Sequence, residues 1–272
     1  MNSFVERIHE NHDQLVKLMQ QASVTVMKFY QPGPDNPDLN IETKDDNSPV
    51  TAADKAAHDI LTSGLIKLFA DVPVVSEEGD MVRGARDVMS EQCIIVDPLD
   101  GTKEFIKKDS GEFTICVGFI EHGRPVYGYI AVPVYAQLYY GGRWVEGSES
   151  FALEAEQIPR ALSVATTPKG IVMGSVSHKN DSTAAYISTH YPDARVVTRG
   201  SMLKFIAVAN GEADAYPRVA HSMKLWDIAA GHAVLEGAGG SLTHPDGRTI
   251  DYRQSSFHIG DFVASSTAPA DN

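Results

Sequence analysis

The run Ile94-Ile95-Val96-Asp97-Pro98-Leu99-Asp100-Gly101-Thr102 carries an apolar strand into two carboxylates three positions apart, then a glycine and a hydroxyl. Asp97 is expected at the mouth of a buried strand, with Pro98 bending the chain so that Asp100 points back toward the same place. Two carboxylates about 4 Å apart repel by roughly 4 kcal/mol at an effective dielectric near 20, so close convergence calls for a cation or a proton. Mg2+ is the natural candidate, since hard cations take oxygen ligands and share them with substrate phosphates. Gly101 and Thr102 follow at a turn where backbone N–H groups and a hydroxyl can hold a phosphate oxygen. A D-x-x-D-G stretch is also an ordinary solvated turn, so the balance depends on the other acids of the chain.

Val72-Pro73-Val74-Val75-Ser76-Glu77-Glu78-Gly79 is a second short apolar strand that ends in paired acids and a glycine, which suggests one shared rim. Asp54 falls in the first turn of a helix opening near Thr51, whose buried face is Ala57, Ile60, Leu61, Leu65 and Leu68. A carboxylate there also complements the helix dipole.

Around these residues the periodicities set out the elements. Val5, Ile8, Leu15, Met19, Ala22, Val26 and Phe29 give one apolar stripe on a long first helix, which the prolines of residues 32–37 stop. Residues 45–49 read as a polar loop. Phe113 to Ile120, Val126 to Val134, Gln137 to Tyr140 and Arg143 to Val145 read as an antiparallel meander, broken at Glu121-His122-Gly123 and Gly141-Gly142. Helices on such a sheet make the first half α+β. Composition turns polar around residues 148–160, and a boundary drawn at 155 divides the chain into units 1–155 and 156–272. Beyond it come strands at Leu162 to Ala165, Ile171 to Val176, Arg195 to Val197 and Asp214 to Arg218. A helix from about Ser201 to Asn210 and another near Trp226 to Glu236 alternate with them, giving a layered α/β second half. Residues 265–272 read as a frayed tail.

With 272 residues and 43% hydrophobic side chains the chain can build a large core. Its formal charge of −13 argues against a nucleic-acid groove and leaves room for a local basic pocket. Cys93 and Cys116 are the two cysteines, each in a β-like apolar segment, which fits core thiols in a reducing cytoplasm. The first residues lack the basic and apolar regions of a secretory signal, and no apolar run approaches the roughly 18 residues of a membrane span.

T-A-A-D at 51–54, S-E-E at 76–78, D-P-L-D-G-T at 97–102 and W-D-I-A-A-G at 226–231 resemble, in order and spacing, the magnesium-dependent, lithium-sensitive phosphatases of the inositol monophosphatase superfamily. The resemblance covers nearly the whole chain and implies a layered αβαβα sandwich of the sugar-phosphatase type. It places an antiparallel sheet in a metal-binding catalytic first half and a smaller mixed sheet in a substrate-recognition second half. D-P-L-D-G-T-K-E-F-I-K-K at 97–108, G-S-M-L-K-F at 200–205 and A-Y-P-R at 215–218 are most similar to the 3'(2'),5'-bisphosphate nucleotidases of the CysQ type. Inositol monophosphatases usually read D-P-I-D-G-T-T-N-F at the first of these places. The implied reaction is hydrolysis of adenosine 3',5'-bisphosphate to AMP and phosphate, in sulfur assimilation and nucleotide recycling.

Carried over by residue, the resemblance makes Glu77, Asp97 and the main-chain carbonyl of Leu99 ligands of one magnesium, and Asp97, Asp100 and Asp227 ligands of a second. Glu78 reaches a third ion through water. Thr102 activates the attacking water with its hydroxyl polarised by Asp54, a threonine alone being a poor base. Gly101, Thr102, His178, Ser201, Lys204 and Arg218 surround the nucleotide and its remaining phosphate. Taken without the resemblance, His178 is a loop histidine, Ser201 a helix N-cap and Lys204 a solvated helix residue. Arg218, on a strand otherwise apolar, is harder to explain without a carboxylate or phosphate partner. The chain reads Ser175-Val176-Ser177-His178 where bacterial relatives tend to have S-R-S-H. Inositol or another sugar monophosphate is the competing substrate, sharing every metal ligand. A non-catalytic nucleotide-binding regulator is the competing class, against which the intact Asp54–Thr102 pair weighs. The expected partner is a small nucleotide. The expected location is the cytoplasm or, as for some relatives, the inner face of its membrane, although no lipidation motif or basic amphipathic helix supports attachment.

Overall fold

The apolar stripe of the first thirty residues forms two helices instead of one. α1 (Phe4–Glu10) and α2 (His12–Phe29) are parted at Asn11, which leaves the helical range at φ −98° and ψ 6° and places both its N–H and its side-chain amide on Arg7 O. The computed structural model describes residues 2–30, 41–43, 49–154, 157–176, 180–220, 223–254 and 256–267. The proline stop at 32–37, the loop at 45–48 and the tail beyond 267 lie outside them. The remaining helices are α3 (Ala52–Leu68), α4 (Met81–Asp87), α5 (Thr102–Lys107), α6 (Asp181–His190), α7 (Leu203–Ala209) and α8 (Ala229–Gly237).

The larger sheet has seven strands whose spatial order follows the chain: Val74–Ser76, Gln92–Asp100, Thr114–Glu121, Arg124–Val132, Gln137–Trp144, Gly147–Glu154 and Arg160–Ala161. The first pair is parallel and the rest antiparallel. Gly141 and Gly142, expected as a break, lie inside one continuous strand. They mark a close approach, because a Cβ on Gly142 would meet Val126 O at 2.0 Å. The polar stretch at 147–154 is a further strand of this sheet, one face half-buried and the other burying Ser150 and Ala152. The strand expected at Leu162 to Ala165 does not form; the pairing ends just before it, at Arg160–Ala161.

The smaller sheet runs in the order Arg195–Arg199, Ile171–Ser175, Ala215–Arg218, Phe262–Ser265, Ser241–Thr243, with the first three strands parallel and the last two antiparallel to their neighbours. α7 and α8 lie between the sheets. α8 packs on strands 114–121, 124–132 and 137–144, and α7 packs on α8 and on the smaller sheet. α2 and α3 cover the other face of the large sheet, and Ile187 of α6 closes the outer face of the small one against Val172 and Ala215. The result is the five-layered αβαβα sandwich that the motifs imply. Arg160–Ala161 and α8 both come from beyond residue 155, yet both serve the first sheet.

The middle layer is thin because its residues are small. A Cβ on Gly118 would meet Ala229 Cβ at 2.7 Å, one on Gly128 would meet Ala230 O at 2.7 Å, and one on Gly231 would meet the Phe205 ring at 2.7 Å. The A-A-G of residues 229–231 therefore lets α8 sit flush on the large sheet. That contact fixes where Asp227, just before the helix, stands.

Candidate active site

The Asp97 strand ends in an irregularity. Its pairing with strand 114–121 shifts register between Asp97 and Asp100, and Asp97 Oδ1 accepts the Leu99 N–H at 3.0 Å across the Pro98 bend. Asp227 approaches from the turn before α8, where its Oδ2 accepts the Lys224 N–H at 2.7 Å. Carboxylate oxygens of Asp97, Asp100 and Asp227 lie within 4.8 Å of one another.

Burial is the main cause of the electrostatics here. It pushes the Asp97 carboxyl well up, and the charges of Glu77, Asp100 and Asp227 push it further. Burial, then Glu77 and Asp100, raise Asp227 to about 8. Asp100 is also raised by burial, against the pull of Lys204 and of hydrogen bonds from Ser201 and Thr114. Three carboxylates, Asp97 buried and Asp100 and Asp227 half-buried, repel one another and offer only hard oxygen atoms, which fits a hard divalent cation. Glu77 completes this rim. Its N–H donates to Val96 O at 3.1 Å, extending the parallel pairing, and it lines the same cavity of about 260 Å3 as Asp97, Leu99, Asp100 and Asp227. Glu78 is half-buried and does not line that cavity.

Asp54 stands behind the wall, 2% exposed. It is the third residue of a capping box, so its Oδ2 accepts both the N–H (2.8 Å) and the hydroxyl (2.5 Å) of Thr51. Its other oxygen, Oδ1, accepts the Thr102 hydroxyl at 3.2 Å, a proton that the Leu99 carbonyl also attracts at 3.0 Å. The helix-capping reading of Asp54 and the chemical one hold together: the cap fixes the carboxylate and leaves one oxygen for Thr102. Burial is again the first cause that raises the Asp54 carboxyl. Gly101 sits at φ +90° before α5, where a Cβ would meet Glu112 O at 3.0 Å, so the turn requires glycine.

The cavity's other contributors come from the second half. Ser201 is not an N-cap, since Met202 holds that place. At φ +54° it turns its hydroxyl onto Asp100 Oδ2 at 2.5 Å, beside Thr114 Oγ at 2.5 Å. Lys204 is not solvated. Only 6% exposed, it donates to Ser201 O (2.5 Å) and Arg199 O (3.3 Å), and its ammonium lies 5.3 Å from the centre of the Tyr216 ring. Burial lowers it to about 8, with Asp100 acting in opposition. Arg218 is 3% exposed and donates from Nη2 to Met223 Sδ at 3.3 Å. His178 lies outside the described residues, while Ser175, at the end of its strand, lines the cavity.

Sequence reasoning missed Glu112, Thr114, Phe205 and Tyr216. Glu112 and Thr114 carry no local signal, and they reach the site because strand 114–121 pairs with the Asp97 strand. Tyr216 was visible only as part of A-Y-P-R, and its ring lines the cavity beneath Lys204.

Residues 10–270 match the model of the inositol monophosphatase family. The 3'(2'),5'-bisphosphate nucleotidase CysQ of Salmonella typhimurium is 36% identical over 240 residues, covering 88% of this chain and 93% of that protein. The crystal structure of CysQ from Bacteroides thetaiotaomicron, described as a bacterial member of the inositol monophosphatase family, superposes with a TM-score of 0.73 at 30% identity, covering 91% of this chain and 94% of that one. The extragenic suppressor protein suhB of Bartonella henselae shares the fold, with a TM-score of 0.73 at 21% identity over 93% of each chain. Acids from three separate segments brought to one cavity, with Asp54 of a fourth behind its wall, and a family match over nearly all residues lead to one conclusion: this chain belongs to the inositol monophosphatase family of metal-dependent phosphatases.

Proposed function

We propose that this phosphatase is a Mg2+-dependent 3'(2'),5'-bisphosphate nucleotidase that converts adenosine 3',5'-bisphosphate to AMP and phosphate. The observation that carries the reading is the burial of two cations, Lys204 and Arg218, in the same cavity as the three-carboxylate cluster. Two cations held beside the acids give the cavity a place where an anion binds, and a second phosphate on the substrate is an anion of the right charge and reach. The 36% identity to CysQ nucleotidases supports the same substrate.

In this reading Glu77, Asp97 and the Leu99 carbonyl hold one Mg2+ and Asp97, Asp100 and Asp227 a second, with Glu78 reaching a third through water. Bound Mg2+ supplies phosphoryl polarisation and an acidified water. Residues of the chain do the rest. Thr102, its proton drawn toward Asp54, accepts a proton from the attacking water and passes it to that carboxylate, whose raised pKa makes it the better base. Backbone N–H groups of Gly101 and Thr102 steady the cleaved phosphate. Ser201 holds Asp100, and with His178 it borders the nucleoside. Lys204 and Arg218 hold the 5'-phosphate, so that remote binding places the 3'-phosphate for in-line attack. Unit 1–155 thus supplies most of the catalytic groups and unit 156–272 the recognition groups, with Asp227 of the second unit joining the metal ligands. A cytoplasmic role in clearing the bisphosphate by-product of sulfate activation follows from the reading.

Phosphate release from adenosine 3',5'-bisphosphate, adenosine 3'-monophosphate, inositol 1-phosphate and fructose 1,6-bisphosphate tests it. The adenosine bisphosphate should have the highest kcat/KM. A higher value for inositol 1-phosphate would replace the nucleotide reading with a sugar-phosphate one.

A further inference from the structure

Glu112 and Thr114, two positions apart on one extended segment, hold two consecutive residues of the opposite wall. Glu112 Oε2 accepts the Gly200 N–H at 2.7 Å and its Oε1 accepts Arg199 Nη1 at 3.0 Å, while Thr114 Oγ meets Ser201 Oγ at 2.5 Å. Glu112 is 7% exposed, and Gly200 lies directly against it. A Cβ on Gly200 would meet Glu112 O at 2.7 Å, Glu112 Cβ at 2.9 Å and Glu104 Cγ at 3.3 Å. Immediately after this clamp Ser201 takes up φ +54°, a conformation that non-glycine residues hold only when their surroundings impose it. From there it directs its hydroxyl to Asp100 and its carbonyl, with that of Arg199, to the Lys204 ammonium.

We infer that Glu112 is a positioning residue for substrate selectivity: by clamping the 199–201 turn it aims Lys204 at the phosphate that is not cleaved. The inference rests on the bisphosphate reading above. The physical case is that a buried carboxylate costs desolvation, which its bonds to a backbone N–H and a guanidinium offset only with the turn closed. Lys204 has its two carbonyl acceptors in this turn, so release of the turn lets a long, flexible cation wander from its place. Arg199 is exposed and contributes the weaker half of the clamp.

Glu112→Gln keeps the volume and removes the charge. It should lower kcat/KM for adenosine 3',5'-bisphosphate about tenfold, chiefly through KM, as expected when a charge-assisted bond is lost, and change adenosine 3'-monophosphate turnover far less. In a Lys204→Ala background the same substitution should have little further effect, the non-additivity of residues that act through one another. Gly200→Ala, which crowds the clamp, should reproduce the selective loss, whereas Arg199→Ala should spare it. Equal losses on both nucleotides, or a full tenfold loss without Lys204, would overturn the inference and leave Glu112 a fold residue. A wild-type enzyme with no preference for the bisphosphate would instead overturn the substrate reading. In that case the coupling of Glu112 to Lys204, measured on whichever phosphomonoester is hydrolysed, still decides the positioning role.

Discussion

At the scale of residues, the proposed chemistry depends on one carboxylate whose two oxygens have different partners. Thr51 occupies one oxygen of Asp54 and Thr102 the other, so the carboxylate cannot rotate away without breaking the cap of α3. Thr102→Ala and Asp54→Asn should each lower kcat by about 100-fold to 10,000-fold, the usual worth of general acid–base help, while the Mg2+ concentration for half-maximal activity stays nearly constant. Steady-state rates across a Mg2+ titration check this, and a large shift in Mg2+ requirement with normal kcat would move the pair from proton transfer to metal binding. Asp100→Asn removes one repelling charge from the buried cluster. It should abolish most turnover while leaving the melting temperature of the metal-free protein unchanged or higher, which calorimetry in chelator reads directly. The acids of this site were legible because D-x-x-D-G and S-E-E are local patterns at strand ends. Glu112 and Thr114 were not, since their roles come from pairing across the sheet and from a turn some 88 residues away in the chain.

At the scale of elements, α8 decides how well the acids converge. Where the large sheet presents Gly118 and Gly128, the helix presents the small Ala229, Ala230 and Ala233. Gly128→Val should overpack this contact and cost about 1–3 kcal/mol, read as a lower urea midpoint, and it should weaken Mg2+ activation because Asp227 is displaced with the helix. Gly260→Ala, with nothing within 4 Å of its Cβ, is the control and should stay within about 0.5 kcal/mol. Strands and helices were readable from periodicity. The differences fall at residue types whose meaning depends on neighbours: Gly141-Gly142 signalled a turn but serves close packing inside a strand, and Asn11 leaves the apolar stripe intact while its backbone departs from the helix.

At the scale of the whole molecule, a chain of formal charge −13 concentrates part of that charge in a buried cluster, and so its stability should follow metal and pH together. Asp227 is raised from 3.8 to about 8 by folding, so the folded metal-free protein binds more protons than the unfolded chain between those values. Its contribution is therefore complete at low pH and is lost as pH rises toward 8. Melting of the metal-free protein should show this fall, and saturating Mg2+, which binds the folded state alone, should oppose it at neutral pH and above. A melting temperature indifferent to Mg2+ would mean that the cluster holds no cation. The layered architecture was legible from four motifs in order, whereas the sharing of the first sheet by residues on both sides of position 155 emerges only in three dimensions, from α8 between the sheets. The central claim is that the second half reads a second phosphate, and Arg218→Ala tests it most directly. With kcat/KM measured on adenosine 3',5'-bisphosphate and on adenosine 3'-monophosphate, loss of a charge-assisted contact predicts a tenfold to hundredfold fall, from about 1.5–3 kcal/mol, for the bisphosphate and almost none for the monophosphate. An equal fall for both would contradict the account and return Arg218 to the fold or to the cleaved phosphate.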